Sequence, residues 1–134
     1  IITGILLVFI SEFEGNKIVY VKELIVADEA DNTWESNRFL PTKIVIPKIN
    51  IEADFQKPLG LNYRKELEVP EDSDAVGWYK HSPVPGELGP SVVLGHVDTK
   101  IGPAVFFSLG QLEPGDEIEI ERKDMSVVSL RLLN

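Results

Sequence analysis

Two histidines supply the only imidazoles of the sequence, and one of them stands where catalytic groups often project. His96 directly follows Gly95 and the apolar run at residues 91–94, which is typical of a short buried strand. A histidine at a strand end, beside a glycine that allows close backbone approach, is suited to proton transfer near neutral pH. On these residues alone a structural or surface histidine is the more common role, and a general acid–base residue is the alternative.

The residues around His96 offer few other chemical roles. Asp98 either caps the turn before Gly102 or orients the imidazole, and turn preference favours the cap. His81 lies beside a proline-rich loop and is expected to be solvated. A zinc site needs three or four ligands, and these three side chains match no standard ligand spacing. The sequence also lacks a serine elbow, a phosphate loop and a paired-carboxylate motif, so we expect no metal and no cofactor.

The composition restricts the class of protein. The 134 residues suffice for one domain, and 43% hydrophobic with 26% charged residues is ordinary for a globular chain. The net charge of −9 would repel a phosphate backbone, so nucleic acid is not an expected partner. The sequence contains no cysteine, which excludes disulfides, thiolate metal sites and a cysteine nucleophile within these residues.

The first 38 residues differ in character from the rest. Residues 1–10 form an uncharged apolar run that is too short to cross a bilayer, which takes about 20 residues. We interpret this run as the remnant of a longer membrane anchor or signal segment, and the alternative is a buried strand or helix of the domain. Residues 11–38 carry scattered acidic residues without a clear period, and we interpret them as a linker.

From residue 39 onward the patterns favour β-structure. Residues 43–51 are β-branched and partly alternating, with Pro47 expected at an edge, bulge or bend. Residues 117–122 and 128–132 alternate apolar and polar side chains around a predicted hairpin turn at 123–125. Apolar residues at helical spacing predict one short helix over 104–112, and prolines and glycines predict an irregular loop over 82–90. These elements predict a mainly β fold, a barrel or sandwich.

A collinear series of short motifs carries a family resemblance. The series consists of KIVIPKINI at 43–51, LEVP at 67–70, GWY at 77–79, PGE at 85–87, SVVLGHVD at 91–98, GPAVFF at 102–107 and LEPGD at 112–116. In this order the series resembles the sortase family, most closely the class F type, over residues 39–124. Several of these motifs are common when taken singly, and their order and spacing make the resemblance specific.

The resemblance implies an eight-stranded closed β-barrel with a catalytic histidine, cysteine and arginine. His96 matches the family histidine, whereas the family cysteine and arginine lie on later strands than this sequence contains. We do not assign the arginine role to Arg122 or Arg131, because both precede the expected region. Asp124-Met125 also departs from the Asp-Gly that the family usually has at this hairpin. We therefore expect an incomplete sortase-type barrel of about six strands with one short helix, occupying residues 39–134 and truncated before the Cys- and Arg-bearing strands.

The resemblance also implies a function. The expected activity is that of a cysteine transpeptidase, which cleaves a C-terminal sorting signal between Thr and Gly. The expected partners are sorting-signal peptides of surface proteins, an amine acceptor, and the cell membrane through a single N-terminal anchor, with the domain outside the cytoplasm. Without a cysteine we expect these residues alone to be inactive. The alternatives are a non-catalytic extracytoplasmic β-barrel binding module and an unrelated β-protein.

Overall fold

The computed structural model describes residues 3–10, 39–87 and 89–132. Within these residues the chain forms nine strands: β1 (Thr3–Ile10), β2 (Pro41–Ile46), β3 (Ile51–Asp54), β4 (Val76–Trp78), β5 (Gly89–His96), β6 (Asp98–Thr99), β7 (Gly102–Pro103), β8 (Glu117–Arg122) and β9 (Val127–Arg131). The strands lie in a four-stranded sheet, a three-stranded sheet and the small β6–β7 hairpin. The predicted mainly β fold is confirmed.

The larger sheet has the strand order β3-β2-β8-β9 and is antiparallel throughout. Isoleucines at alternate positions of β2 and β8 point to one face, and Ile44 lies directly opposite Ile120 with both side chains fully buried. The intervening charged residues of β8 face the other side, as the alternating pattern predicts. The predicted turn after residue 122 joins β8 to β9, so that hairpin is confirmed.

The segment predicted as one strand over 43–51 is a hairpin instead. β2 ends at Ile46, Pro47–Ile49 forms a short 3-10 helix, and Asn50 adopts a left-handed conformation with φ 52°. β3 then returns antiparallel to β2. Pro47 lies at the bend because its fixed φ suits the first position of a helical turn and its nitrogen cannot donate to a sheet.

The smaller sheet has the order β1-β5-β4, with β5 in the centre. β4 is antiparallel to β5, whereas β1 is parallel to it and ends with Ile10 opposite His96. Val93 packs into the main core with the isoleucines of the larger sheet, and Val92 and Leu94 pack into a second cluster with Leu59. Burial of both faces explains why β5 is a continuous apolar run rather than an alternating one.

The helix predicted over 104–112 is replaced by turns and a 3-10 helix at Leu109–Gln111. The backbone N–H of Val105 donates to Ser73 and that of Phe106 donates to His96, which ties the start of this segment to residues outside it. The following hydrogen bonds join residues three apart, such as Leu109 to Phe106. The apolar spacing is still used, because Phe106 and Leu109 are fully buried in the main core.

The N-terminal predictions fall on residues that the structure describes only in part. Thr3–Ile10 forms β1, and the interpretation of residues 1–10 as a membrane-anchor remnant stays a prediction. The predicted linker at 11–38 lies outside the described residues. Among the described residues, no helix has the length and apolar character needed to span a membrane.

Candidate active site around His96

His96 is the last residue of β5, and its backbone is held from two directions. β1 runs beside β5 up to the pair Ile10 and His96, and on the other side β4 reaches the neighbouring pair Val76 and Gly95. The Phe106 backbone N–H donates to the His96 carbonyl at 2.9 Å. The side chain itself is only half-buried, which leaves the ring accessible at the end of a rigid strand.

Gly95 allows the 104–112 segment to approach the strand end. A Cβ at this position would lie 2.6 Å from two ring carbons of Phe106 and 3.0 Å from Cγ1 of Val105. Real Cβ atoms do not tolerate such distances from a ring that is itself packed on all sides. The glycine was predicted to allow close approach of another backbone, whereas the atoms that approach it are side-chain atoms of Phe106 and Val105.

The imidazole is oriented by a main-chain carbonyl. Nε2 of His96 lies 2.7 Å from the carbonyl oxygen of Pro70, whose own side chain is fully buried. A carbonyl oxygen can only accept a hydrogen bond, so Nε2 carries the proton and donates it. In the neutral ring the lone pair then resides on Nδ1, which has no hydrogen-bond partner in the part of the chain that the structure describes.

Asp98 does not close the turn after β6. The Thr99 hydroxyl donates to the Gly102 carbonyl at 3.2 Å, and the Ile101 backbone N–H donates to the same hydroxyl at 3.3 Å. Asp98 pairs with Pro103 through the β6–β7 ladder. Thr99 thus caps the turn, a role that we predicted for Asp98. Among the described residues, the hydrogen bond that orients the imidazole comes from Pro70 and not from Asp98.

The second histidine lies apart from the first. The Tyr79 backbone N–H donates to Val92, four residues before His96, and His81 follows two residues beyond Tyr79. Four residues of strand span about 13 Å, so His81 lies beside the middle of β5 and His96 at its end. The His81 ring packs edge-on against Tyr79, with centroids 5.4 Å apart, and is half-buried rather than fully solvated.

The two arginines of the β8–β9 hairpin are engaged away from His96. Arg122 stacks over the Phe39 ring at 4.8 Å and donates from Nε to the Ser126 hydroxyl at 2.8 Å. Arg131 donates to the Glu117 carboxylate at 3.2 Å. The exclusion of both arginines from the catalytic set stays a prediction.

A cavity of about 170 Å³ opens near the start of β2. Phe55, Trp78 and Pro41 provide apolar walls, and Lys123 and Gln56 provide polar atoms. His96 does not line this cavity. No group of three or more His, Cys, Asp or Glu side chains suited to a metal ion occurs among the described residues.

A comparison with protein-family models matches the Sortase domain over residues 44–132. The match includes His96 and all the strands from β3 to β9, and covers most of the chain. The chain belongs to the sortase family. The resemblance carried by the motif series is thereby confirmed at the level of the family. Searches of curated proteins and of solved structures returned no match.

The sequence did not indicate the roles of two residues, Pro70 and Gln56, that hold His96 in this sortase domain. Pro70 acts through a backbone carbonyl, a group that every residue possesses, and it lies 26 positions before His96. Gln56, which holds the peptide that follows Pro70, lies still earlier. Only the LEVP motif at 67–70 marked the first of these positions, and it did so without indicating a role.

Proposed function

We propose that this sortase domain supplies the acid–base histidine of a cysteine transpeptidase acting on C-terminal sorting signals. The observation that carries the proposal is the arrangement of His96 at the end of a central strand. The residue is half-buried, Nε2 is bonded to a carbonyl at 2.7 Å, and Nδ1 has no hydrogen-bond partner among the described residues. The family match over residues 44–132 supports the same reaction class.

In the proposed reaction a thiolate attacks the carbonyl carbon of threonine in the sorting signal. The bond from that carbon to the glycine nitrogen breaks, and a thioester remains on the enzyme. His96 gives a proton to the departing amine, then takes one from the amine that attacks the thioester. The product is a surface protein joined by an amide bond to a cell-wall precursor or to another protein.

The thiol in this proposal lies outside residues 1–134, because the sequence contains no cysteine. The arginine that stabilises the oxyanion is likewise not Arg122 or Arg131, since both are engaged within the β8–β9 hairpin. We therefore expect the 134-residue chain to form no thioester with a Leu-Pro-x-Thr-Gly peptide. Mass spectrometry of the chain after incubation with that peptide measures this directly.

A fusion provides the decisive test of the histidine. The domain is joined at its C-terminus to the cysteine- and arginine-bearing strands of an active sortase, and thioester formation and transfer to an amine are measured. We expect activity in the fusion, and a loss of roughly 10²–10⁴-fold in His96→Ala, the usual contribution of general acid–base catalysis. His81→Ala is the matched control and should retain activity.

The competing function is a non-catalytic extracytoplasmic binding module. It predicts that the fusion stays inactive while the domain still binds sorting-signal peptide, with His96→Ala and His81→Ala indistinguishable. A membrane location, through a segment at the N-terminus, is part of the transpeptidase proposal because surface-protein substrates and lipid-linked acceptors meet at the outer membrane face. Fractionation of cells expressing the full gene product tests the location.

A further inference from the structure

The peptide unit between Pro70 and Glu71 is hydrogen-bonded on both of its sides. Its carbonyl accepts from Nε2 of His96 at 2.7 Å. Its N–H, which belongs to Glu71, donates to Oε1 of Gln56 at 3.0 Å. Because the peptide unit is planar, a contact that fixes the N–H also fixes the direction in which the carbonyl points. The Gln56 amide therefore helps to aim the oxygen that receives the imidazole proton.

Gln56 is itself tied to the strands that carry His96. Its backbone N–H donates to the Val76 carbonyl at 2.8 Å, and Val76 pairs with Gly95 in the β4–β5 ladder. The connections form a closed ring that runs from Gln56 through β4 and β5 to His96, and back through the Pro70–Glu71 peptide. In such a ring each hydrogen bond limits the freedom of the next, and donation by the peptide N–H strengthens the carbonyl as an acceptor.

We propose that Gln56 is a positioning residue, which acts through the Pro70–Glu71 peptide to hold His96 as the Nε2–H tautomer. The Nδ1 atom then carries the lone pair and is the site of proton exchange. The catalytic meaning of this assignment rests on the proposed transpeptidase function, whereas the tautomer itself does not. If the Gln56 side chain only held the loop in place, its replacement would alter stability and leave the tautomer ratio of His96 unchanged.

The tautomer is measurable in the chain as it exists, without thiol or substrate. In long-range proton–nitrogen spectra of histidine-labelled protein at alkaline pH, Nε2 of His96 should show a pyrrole-like shift and Nδ1 a pyridine-like shift. His81, whose neighbours Tyr79 and Ser82 bond to Val92 in the middle of β5, serves as the internal reference. A wild-type spectrum in which Nδ1 of His96 is protonated overturns the proposal.

Two variants break the same hydrogen bond from opposite sides. Gln56→Met keeps the length of the side chain and removes the acceptor, and Glu71→Pro removes the donor. Each should change the His96 tautomer ratio by roughly twofold or more toward Nδ1–H, the size expected for part of one neutral hydrogen bond. Gln56→Glu retains an acceptor oxygen, and a stronger one because it is charged, so His96 should keep the Nε2–H form at least as fully as in the wild type.

The outcomes separate this proposal from the proposed function. An unchanged ratio in whichever of Gln56→Met and Glu71→Pro folds, as judged by amide spectra, overturns the positioning role of Gln56. That result leaves the transpeptidase proposal standing, since His96 could then act without this support. If the fusion enzyme is inactive but the tautomer shifts are as expected, the transpeptidase proposal is overturned. The positioning role of Gln56 then still stands.

Discussion

The backbone of Gly95 lies against the ring of Phe106 so closely that a Cβ would come within 2.6 Å of two ring carbons. Phe106 is fully buried, and its N–H donates to the carbonyl of His96. The residue before the candidate catalytic histidine is therefore part of a tight junction between β5 and the 104–112 segment. Any atom added there must displace either the ring or the strand that carries His96.

Gly95→Ala should destabilise the domain by about 1–3 kcal/mol, the usual cost of overpacking a close-packed site. The measurement is the free energy of unfolding from urea denaturation. The matched control is Gly110→Ala, where a Cβ would meet no heavy atom within 4 Å and the backbone φ is not in the left-handed region. We expect the control to lie within about 0.5 kcal/mol of the wild type. Equal losses in the two variants would contradict the close approach at Gly95.

Ile120→Ala should lower the free energy of unfolding by about 2–5 kcal/mol, because it opens a cavity opposite Ile44 in the main core. Both isoleucines have 0% exposure and face each other across the β2–β8 ladder. Val127→Ala in the neighbouring strand is the control, since that side chain is 57% exposed. A loss in the control as large as in Ile120→Ala would show that strand propensity, rather than burial, dominates.

Tyr79→Phe should remove a pH-dependent loss of stability at alkaline pH. Burial raises the pKa of Tyr79 above its ordinary value of 10.0, because the phenolate loses its hydration. The unfolded chain then releases the proton first, so the stabilising contribution is present below about pH 10 and is lost as pH rises through the folded pKa. The free energy of unfolding of the wild type should fall more steeply than that of the variant over this range.

The stability of Tyr79→Phe at neutral pH, below that range, can also be predicted. The Tyr79 hydroxyl is buried and finds no hydrogen-bond partner among the residues that the structure describes. Its removal should therefore leave stability unchanged or raise it by up to about 1 kcal/mol. Tyr63→Phe, at a ring that is 86% exposed, should change neither the stability nor its slope against pH. A destabilised Tyr79→Phe at neutral pH would indicate that the hydroxyl has a partner after all.

Met125→Gly should raise the stability by up to about 1 kcal/mol. Met125 occupies the turn between β8 and β9 with φ 70°, a left-handed conformation that costs an L-residue about 1–2 kcal/mol. Glycine removes that cost and loses roughly 0.5–1 kcal/mol through its greater freedom in the unfolded chain. Thermal denaturation should show a midpoint a few degrees higher, whereas Met125→Ala keeps the strained φ and should show no gain. A lower midpoint for the glycine variant would contradict the assigned conformation.

Local patterns were sufficient where a strand has one buried face. Ile118 and Ile120 alternate with acidic residues and lie inward on β8, as predicted, and the hairpin to β9 follows. Such patterns are readable because each residue's environment is set by its immediate neighbours in the strand. At the hairpin turn the structure gives Met125 a positive φ of 70°, a strain that the sequence did not predict.

The prediction of a helix over 104–112 was wrong for a non-local reason. The spacing of Val105, Phe106 and Leu109 correctly indicated burial. It could not distinguish an α-helix from the observed turns, because both bury the same residues. The amides of Val105 and Phe106 anchor the start of the segment to residues 73 and 96, and the hydrogen bonds that follow join residues three apart. Apolar spacing alone does not reveal the anchoring to Ser73, which lies far earlier in the sequence.

The amino-acid sequence by itself determined the mainly β character and the family, and it singled out His96 as the candidate catalytic residue, because composition, alternation and motif order are properties of the linear chain. The tertiary structure alone decided how that histidine is held. The Pro70 carbonyl and the Gln56 amide reach His96 through hydrogen bonds between residues far apart in sequence, 26 positions in the case of Pro70. Backbone carbonyls are chemically alike at every position, so only folding selects the one that meets the imidazole.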